Sequence, residues 1–359
     1  MNVVALGLSI TSSWGNGHAS TWRALVRELA RRGHRVLSLE PDVPWYAAER
    51  DLPGPPWGTT RLYRDLDELR AAWTGAVRAA DLVVVGSYVP EGVAVGRWVL
   101  ESARGVRAFY DIDTPVTLAK LARSDHDHLD PELVRAFDLY LSFSGGRALE
   151  VLERQHGAAL ARPLYCSVDP AVHRPVPGRE RWLLGHLGTW SPDRQPALER
   201  LLLEPARRRP ERGFAVAGPQ YPPGTAWPAN VERIEHVAPG DHAAFFAAQR
   251  FTLNVTRAAM VALGTSPSVR LFEAAACGVP VISDRWEGFE AFFTPGEEGF
   301  VADGPEDVLR ILDAHGPEAA RRVGEAARRR ILAAHTAEHR VNELLRWYAE
   351  AREAGVARR

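Results

Sequence analysis

Gly15-Asn-Gly-His18 places a histidine behind two glycines, between an apolar run and a helical pattern. Glycine there permits a tight turn and close approach of backbone to a ligand. A neutral imidazole can take a hydroxyl proton near pH 7, so His18 is a candidate general base, with loop capping as its plainer role. Asp111 and Asp113, in Asp-Ile-Asp-Thr-Pro115, supply carboxylates that can orient such a histidine or act as the base themselves. The same residues also build turns and helix caps, and the functional expectation falls on Asp113 rather than Asp111. In Gly188-Thr-Trp-Ser-Pro-Asp-Arg-Gln195, Thr189 and Ser191 can donate to phosphate oxygens, and Arg194 offers a planar fork. The alternative there is a Ser-Pro turn with a surface arginine.

The stretch from Ser266 to Asp284 reads as a capped helix, a glycine stop at Gly278 and a buried strand. Ser266 or Ser268 can cap it and Pro267 suits a first turn. Its start, through Val269 and Arg270, presents backbone N–H groups and the positive dipole end to an anion such as a diphosphate. Arg270 and Glu273 are three apart on one face, so an intrahelical ion pair competes with ligand binding.

Other chemistries fit less well. The first loop departs from the dinucleotide fingerprint, with Ser20 where a third glycine is required and only Glu40 near a ribose position, which disfavours a nicotinamide cofactor. No His/Cys/Asp/Glu set has zinc spacing, and Ser124 to Asp130 reads as a polar loop, so no metal is expected. Neither a Gly-x-Ser-x-Gly elbow nor a phosphate-loop lysine is present. Lys plus Arg is 44 and Asp plus Glu is 45, which leaves no global charge to hold nucleic acid. Cys166 and Cys277 are far apart, as suits a reducing compartment. Met1 to Ile10 lacks a basic leader and is too short for a membrane span, so it is expected to be a strand and the protein cytoplasmic.

These residues need a scaffold, and at 359 residues two domains are expected. Val3–Ile10, Arg35–Leu39, Asp81–Gly86, Val106–Asp111 and Asp138–Ser144 are strand-like, and helical patterns such as Trp22, Leu25, Val26 and Leu29 separate them. Residues 41 to 60, broken by prolines, are expected to form a long loop. After a proline-containing linker from Tyr165 to Pro175 the pattern restarts, with strands at 181–188, 213–218, 231–237 and 251–255, a helix at 196–203, and a helical tail from Glu318. The class is α/β with parallel, doubly wound sheets, whose ligands sit beyond the carboxyl ends of the strands.

Thr21-Trp-Arg-Ala-Leu, Arg32-Gly-His34, Pro44-Trp-Tyr46, Tyr110-Asp-Ile-Asp-Thr-Pro115, Leu187-Gly-Thr-Trp-Ser-Pro-Asp-Arg194 and Val269-Arg-Leu-Phe-Glu-Ala-Ala-Ala-Cys-Gly-Val-Pro-Val-Ile282 together resemble GT-B glycosyltransferases. Within them the chain is similar to the CgeB-like (spore-maturation protein) group, related to glycosyltransferase family 4. The resemblance implies two Rossmann-like domains facing a cleft. An acceptor domain would span 1–165, with a helix at 340–359 crossing back, and a nucleotide-sugar domain 166–339. It implies sugar transfer from a nucleoside-diphosphate sugar to a hydroxyl, without metal or further cofactor.

By position, Glu273 resembles the second glutamate of the Glu-x7-Glu motif, a ribose ligand in relatives. The first glutamate falls at Thr265 and is absent. Arg194 resembles the basic residue on the donor diphosphate, and His18 with Asp113 resembles the base and its carboxylate partner. Ser87-Tyr88 replaces the histidine that family 4 carries after the 83–85 strand. The implied donor site comprises Gly17, Gly188, Thr189, Arg194, His236, Val237, Ser266, Ser268, Val269, Arg270 and Glu273. Trp14, Trp45, Trp57 and Trp190 are candidates to stack on an acceptor, or to pack. The alternatives are a GT-B-fold sugar-nucleotide epimerase, a nucleotide-sugar-binding protein without catalysis and, below these, glycosylation of modified DNA bases.

Overall fold

A computed structural model describes residues 1–7 and 9–357. Leu8, within the expected first strand, and Arg358 and Arg359, at the end of the expected tail helix, lie outside the described residues. The chain divides into two compact units, one formed by Met1–Tyr165 with the C-terminal segment from Ala337, the other by Cys166–Thr336.

The first unit is a parallel sheet of β1 (Asn2–Leu6), β2 (Arg35–Pro41), β3 (Thr59–Tyr63), β4 (Leu82–Gly86), β5 (Val106–Asp111), β6 (Leu139–Ser142) and β7 (Ala161–Pro163). Their order is β3-β2-β1-β4-β5-β6-β7. Val3 of β1 pairs with Val36 on one side and Leu82 on the other, which places β1 and β4 at the centre. All five residues of β4 are buried, as a strand covered on both faces requires. Helix Ala19–Arg31 lays Trp22, Leu25, Val26 and Leu29 on this sheet. A Cβ on Gly7, just past β1, would meet the Trp22 indole nitrogen at 2.7 Å, so that packing requires glycine. The C-terminal helix Ala337–Ala357 is tied to the same unit: Arg162 pairs with Glu350, and Arg32 Nη1 donates to Asn342 Oδ1 at 2.6 Å.

The second unit repeats the plan with β8 (Trp182–Leu187), β9 (Phe214–Ala217), β10 (Val231–Ile234), β11 (Gln249–Asn254), β12 (Val281–Asp284) and β13 (Phe300–Ala302), all parallel. The order is β10-β9-β8-β11-β12-β13. Its core gathers Leu184, Phe214, Phe251 and Ile282 from the strands with Leu201, Leu202 and Leu203.

Three expectations are corrected. The 41–60 segment is not a loop throughout, since it contains a short helix, Pro44–Ala47, and leads into β3 at Thr59. That edge strand is mostly exposed and so lacks an apolar run. The helix expected over 196–203 is α at Gln195–Leu198, π at Glu199–Leu203 and α again at Glu204–Arg207. Pro205 has no N–H to return to the residue four before it, and the wider turn lets three consecutive leucines be buried. Pro267 lies before the helix cap rather than in the first turn, because the helix starts at Val269. Among the described residues, no helix is long and apolar enough to cross a membrane.

Glu40, at the end of β2, is buried and organises the loop after β1. Its carboxylate accepts from the Ile10 and Thr11 N–H groups at 2.7 and 2.9 Å, and from the Ser9 and Thr11 hydroxyls at 2.9 and 2.6 Å. An amide cannot accept at all four: with its oxygen towards the two N–H groups, Glu40→Gln turns its NH2 on the two hydroxyls, which must give up their donated bonds, and the carboxylate charge is lost. We expect it to lower unfolding free energy in urea by about 3 kcal/mol.

Candidate functional site

In each sheet the strand order reverses beside the first strand, between β1 and β4 and between β8 and β11. Ligands of such sheets bind outside the carboxyl ends at that point.

In the second unit, Gly188 follows β8 and Gly218 follows β9. A Cβ on Gly218, whose φ is +132°, would meet the Gly188 carbonyl at 2.1 Å, and one on Gly188 would meet Arg270 Nη2 at 2.4 Å. The two glycines therefore let the loops close on Arg270. Arg270 sits in the first turn of helix Val269–Ala276 and is 6% exposed. Nε donates to the Leu187 carbonyl and Nη1 to Asn254 Oδ1, the latter at 3.1 Å. Both are neutral oxygens. Burial lowers the Arg270 pKa to about 10, and the like charge of Arg194 adds to this. Arg194 is aligned by the loop after β8, with Nε donating to Ser191 Oγ at 2.9 Å and Nη2 to the Thr189 carbonyl. Ser268 occupies the helix N-cap without a side-chain capping bond, and the Ser266 hydroxyl donates to the Gly264 carbonyl. Two arginines and a helix start thus converge on one rim. The arrangement has excess positive charge and suits an anion.

The intrahelical Arg270–Glu273 pair that the spacing allows does not form. Glu273 turns from Arg270 towards two histidines, and is 2% exposed. Its Oε2 lies 3.2 Å from His242 Nδ1, and its Oε1 lies 3.3 Å from His173 Nε2, off hydrogen-bond geometry. Burial alone would raise the Glu273 pKa, but His242 and then His173 outweigh it and hold the carboxyl far below its usual range. His242 Nε2 faces the Val237 carbonyl at 3.2 Å. The ligand atoms of His173, His242 and Glu273 lie within 4.8 Å of one another, a spacing open to a metal ion. Yet each ring nitrogen of His242 faces an oxygen acceptor, which calls for a doubly protonated ring rather than a metal donor. His236 and Val237, beyond β10, are half-buried.

In the first unit, His18 occupies the N-cap position of helix Ala19–Arg31, and its ring meets Phe143 edge-on with centroids 4.9 Å apart. It lines a pocket with Asn16, Thr21, Trp22, Ser87, Tyr110, Ile112 and Phe143. Gly17, beside it, is exposed. Asp113 is 5% exposed at the cap of helix Thr114–Ala122, and the Tyr88 hydroxyl donates to its Oδ2 at 3.2 Å. Asp111 is fully buried. It accepts from Tyr140 Oη at 2.6 Å, Thr117 Oγ1 at 2.9 Å and the Asp113 N–H at 3.1 Å, while burial raises its pKa. Its bonds are those of a structural carboxyl.

Residues 194–346 match the family model described as "Glycosyl transferase-like". No relative among curated proteins matches the sequence. Among solved structures, the sucrose-phosphate synthase of Thermosynechococcus elongatus superposes with TM-score 0.73 at 16% identity, covering 99% of this chain and 100% of that one. Anabaena HepE in complex with UDP and glucose gives 0.72 at 13%, covering 98% and 100%. An alpha-glucosyltransferase in complex with UDP and a 13-mer DNA containing an HMU base gives 0.72 at 12%, covering 97% and 99%. The fold is GT-B.

Within this GT-B chain the matched segment contains Arg194, His242, Arg270 and Glu273. Sequence patterns missed three contributors. Tyr88, a non-glycine residue with a left-handed φ of +65°, brings its hydroxyl to Asp113. His173 lies in the proline-containing linker, and His242 is the first residue of helix His242–Ala247. The signal available for His242 was a histidine directly before an apolar helical run, which is too common to be specific.

Proposed function

We propose that this protein is a metal-independent glycosyltransferase of the CgeB-like group. It moves a sugar, a hexose in our reading, from a nucleoside-diphosphate sugar to an acceptor hydroxyl, without a further cofactor. The observation that carries this is Arg270, a buried guanidinium bonded to neutral oxygens beside Arg194, within the glycosyl transferase-like segment. A buried cation without an ion-pair partner is costly unless an anion completes it, and a diphosphate leaving group is such an anion. The UDP-bound neighbours support the same donor chemistry.

In this reading Arg194, Arg270, Thr189, Gly188 and the helix start at Ser266, Ser268 and Val269 receive the diphosphate. His236 and Val237 adjoin the base, and Glu273 receives the ribose. His18, with Asp113, takes the proton from the acceptor hydroxyl, with Gly17 leaving the loop open to the sugar. A near-neutral total charge favours a small or carbohydrate acceptor over DNA.

The test is a panel of nucleotide sugars, with released nucleoside diphosphate measured with and without hydroxyl acceptors. Release that depends on an acceptor supports transfer. Conversion of the donor without any acceptor would instead indicate an epimerase, and binding without turnover a non-catalytic protein. For Glu273, the loss of one charge-assisted hydrogen bond from ribose predicts that Glu273→Ala weakens UDP binding about 10- to 100-fold by titration calorimetry. Unchanged affinity would refute the ribose role.

A further inference from the structure

We infer that His242 is a positioning residue that, as an imidazolium, ties the base-contacting segment to the ribose carboxylate. This rests on the reading of Glu273 as ribose ligand.

Nδ1 of His242 lies 3.2 Å from Glu273 Oε2, and Nε2 lies 3.2 Å from the Val237 carbonyl oxygen. Both partners only accept, so a neutral ring leaves one lone pair facing an oxygen, and only the doubly protonated ring donates to both. The relay pins Oε2 and leaves Oε1, which makes no hydrogen bond, as the oxygen for a ribose hydroxyl. His173, 3.3 Å from Oε1, is the ring that must shift to admit it.

The charged and titratable groups facing His242 are Glu273 from helix Val269–Ala276, His173 from the segment before β8, with ring centroids 6.0 Å apart, and Asp241 from its own turn. Burial acts to lower the His242 pKa, but the Glu273 charge and the two hydrogen bonds prevail and raise it. The imidazolium is therefore present below that raised value and is lost as pH rises through it. Losing its proton leaves the ring one N–H, which stays with the charged Glu273, so the bond to the Val237 carbonyl is lost and the tie between the base-contacting segment and the carboxylate breaks.

UDP is the probe, and calorimetric Kd values are compared between pH 6 and pH 9 for wild type, His242→Asn and His242→Leu. Taking the ratio of two proteins at each pH cancels the titration of the nucleotide itself. The Asn side chain sets an uncharged N–H where Nδ1–H stands but has no counterpart to Nε2–H, so His242→Asn should bind as deprotonated wild type does, more weakly than wild type at pH 6 and without the protein-dependent weakening towards pH 9. His242→Leu should bind at least tenfold more weakly at pH 6 and approach wild type at pH 9. A Leu-to-wild-type ratio that is flat across the range would overturn the inference, as would a His242→Asn profile that follows wild type. Stoichiometric metal in the purified protein, whose removal by chelator changes Kd, would also overturn it, since Nδ1 would then carry a lone pair to the ion. Glu273→Ala separates the two readings. If it binds UDP like wild type, the ribose role fails; if it loses binding while both His242 variants do not, only the relay fails.

Discussion

Arg270→Met should lower kcat/KM for the donor by about 100- to 1000-fold, the range for removing one preorganised donor from a developing charge. Methionine fills much the same volume and removes a charge that is buried at a cost in the free protein. The folded state should therefore lose little, because the orphaned Leu187 carbonyl and Asn254 amide oxygen offset the relief from the Arg194–Arg270 repulsion. The two effects separate cleanly in one assay. Thermal unfolding without ligand should show Tm within a few degrees of wild type, while the rise in Tm on adding UDP should almost vanish. Arg270→Lys sharpens the prediction, since it keeps the charge but loses the fork that spans Leu187 and Asn254. It should recover part of the UDP-dependent stabilisation. If Arg270→Met kept full UDP stabilisation and turnover, the diphosphate reading of this rim would be wrong.

The same residue shows how far the sequence carries. Arg270 was legible as the start of a capped helix next to a glycine stop, because helix ends leave backbone groups that only a few residue types satisfy. Its partners were not, because Leu187 and Asn254 reach it from strand ends 83 and 16 residues away, and no local pattern encodes that. Spacing allowed an Arg270–Glu273 pair, but Arg270 bonds to Leu187 and Asn254 while Glu273 faces His242 and His173. Central strands such as β4 were legible since burial on both faces demands a continuous apolar run. The edge strands face fewer neighbours, and β3, β7 and β13 leave little trace, whereas β10 was read within 231–237. Asp111 and Asp113 were separable in principle by strand position: Asp111 is the last residue of β5, whereas Asp113 lies beyond it at a helix start. Tyr140, which completes the Asp111 site, is 29 residues away and invisible locally.

His18→Ala should cut sugar transfer about 100- to 10,000-fold, as loss of a general base does, while leaving the Kd for UDP unchanged. The imidazole lies in the first unit and the residues proposed for the diphosphate and the ribose in the second, so the mutation tests proton abstraction separately from binding of UDP. Asp113→Asn should act in the same direction but more weakly, because the amide oxygen still accepts from Tyr88 while the negative charge proposed to stabilise the His18 imidazolium is lost. The decisive measurement is the pair of rates against acceptors of graded hydroxyl pKa. With a base removed, turnover should rise steeply as the acceptor becomes more acidic, since such a hydroxyl sheds its proton without help. Wild type should respond only shallowly. Equal slopes in wild type and His18→Ala, or near-normal turnover by both variants, would place the proton's acceptor elsewhere and leave His18 as a loop and cap residue.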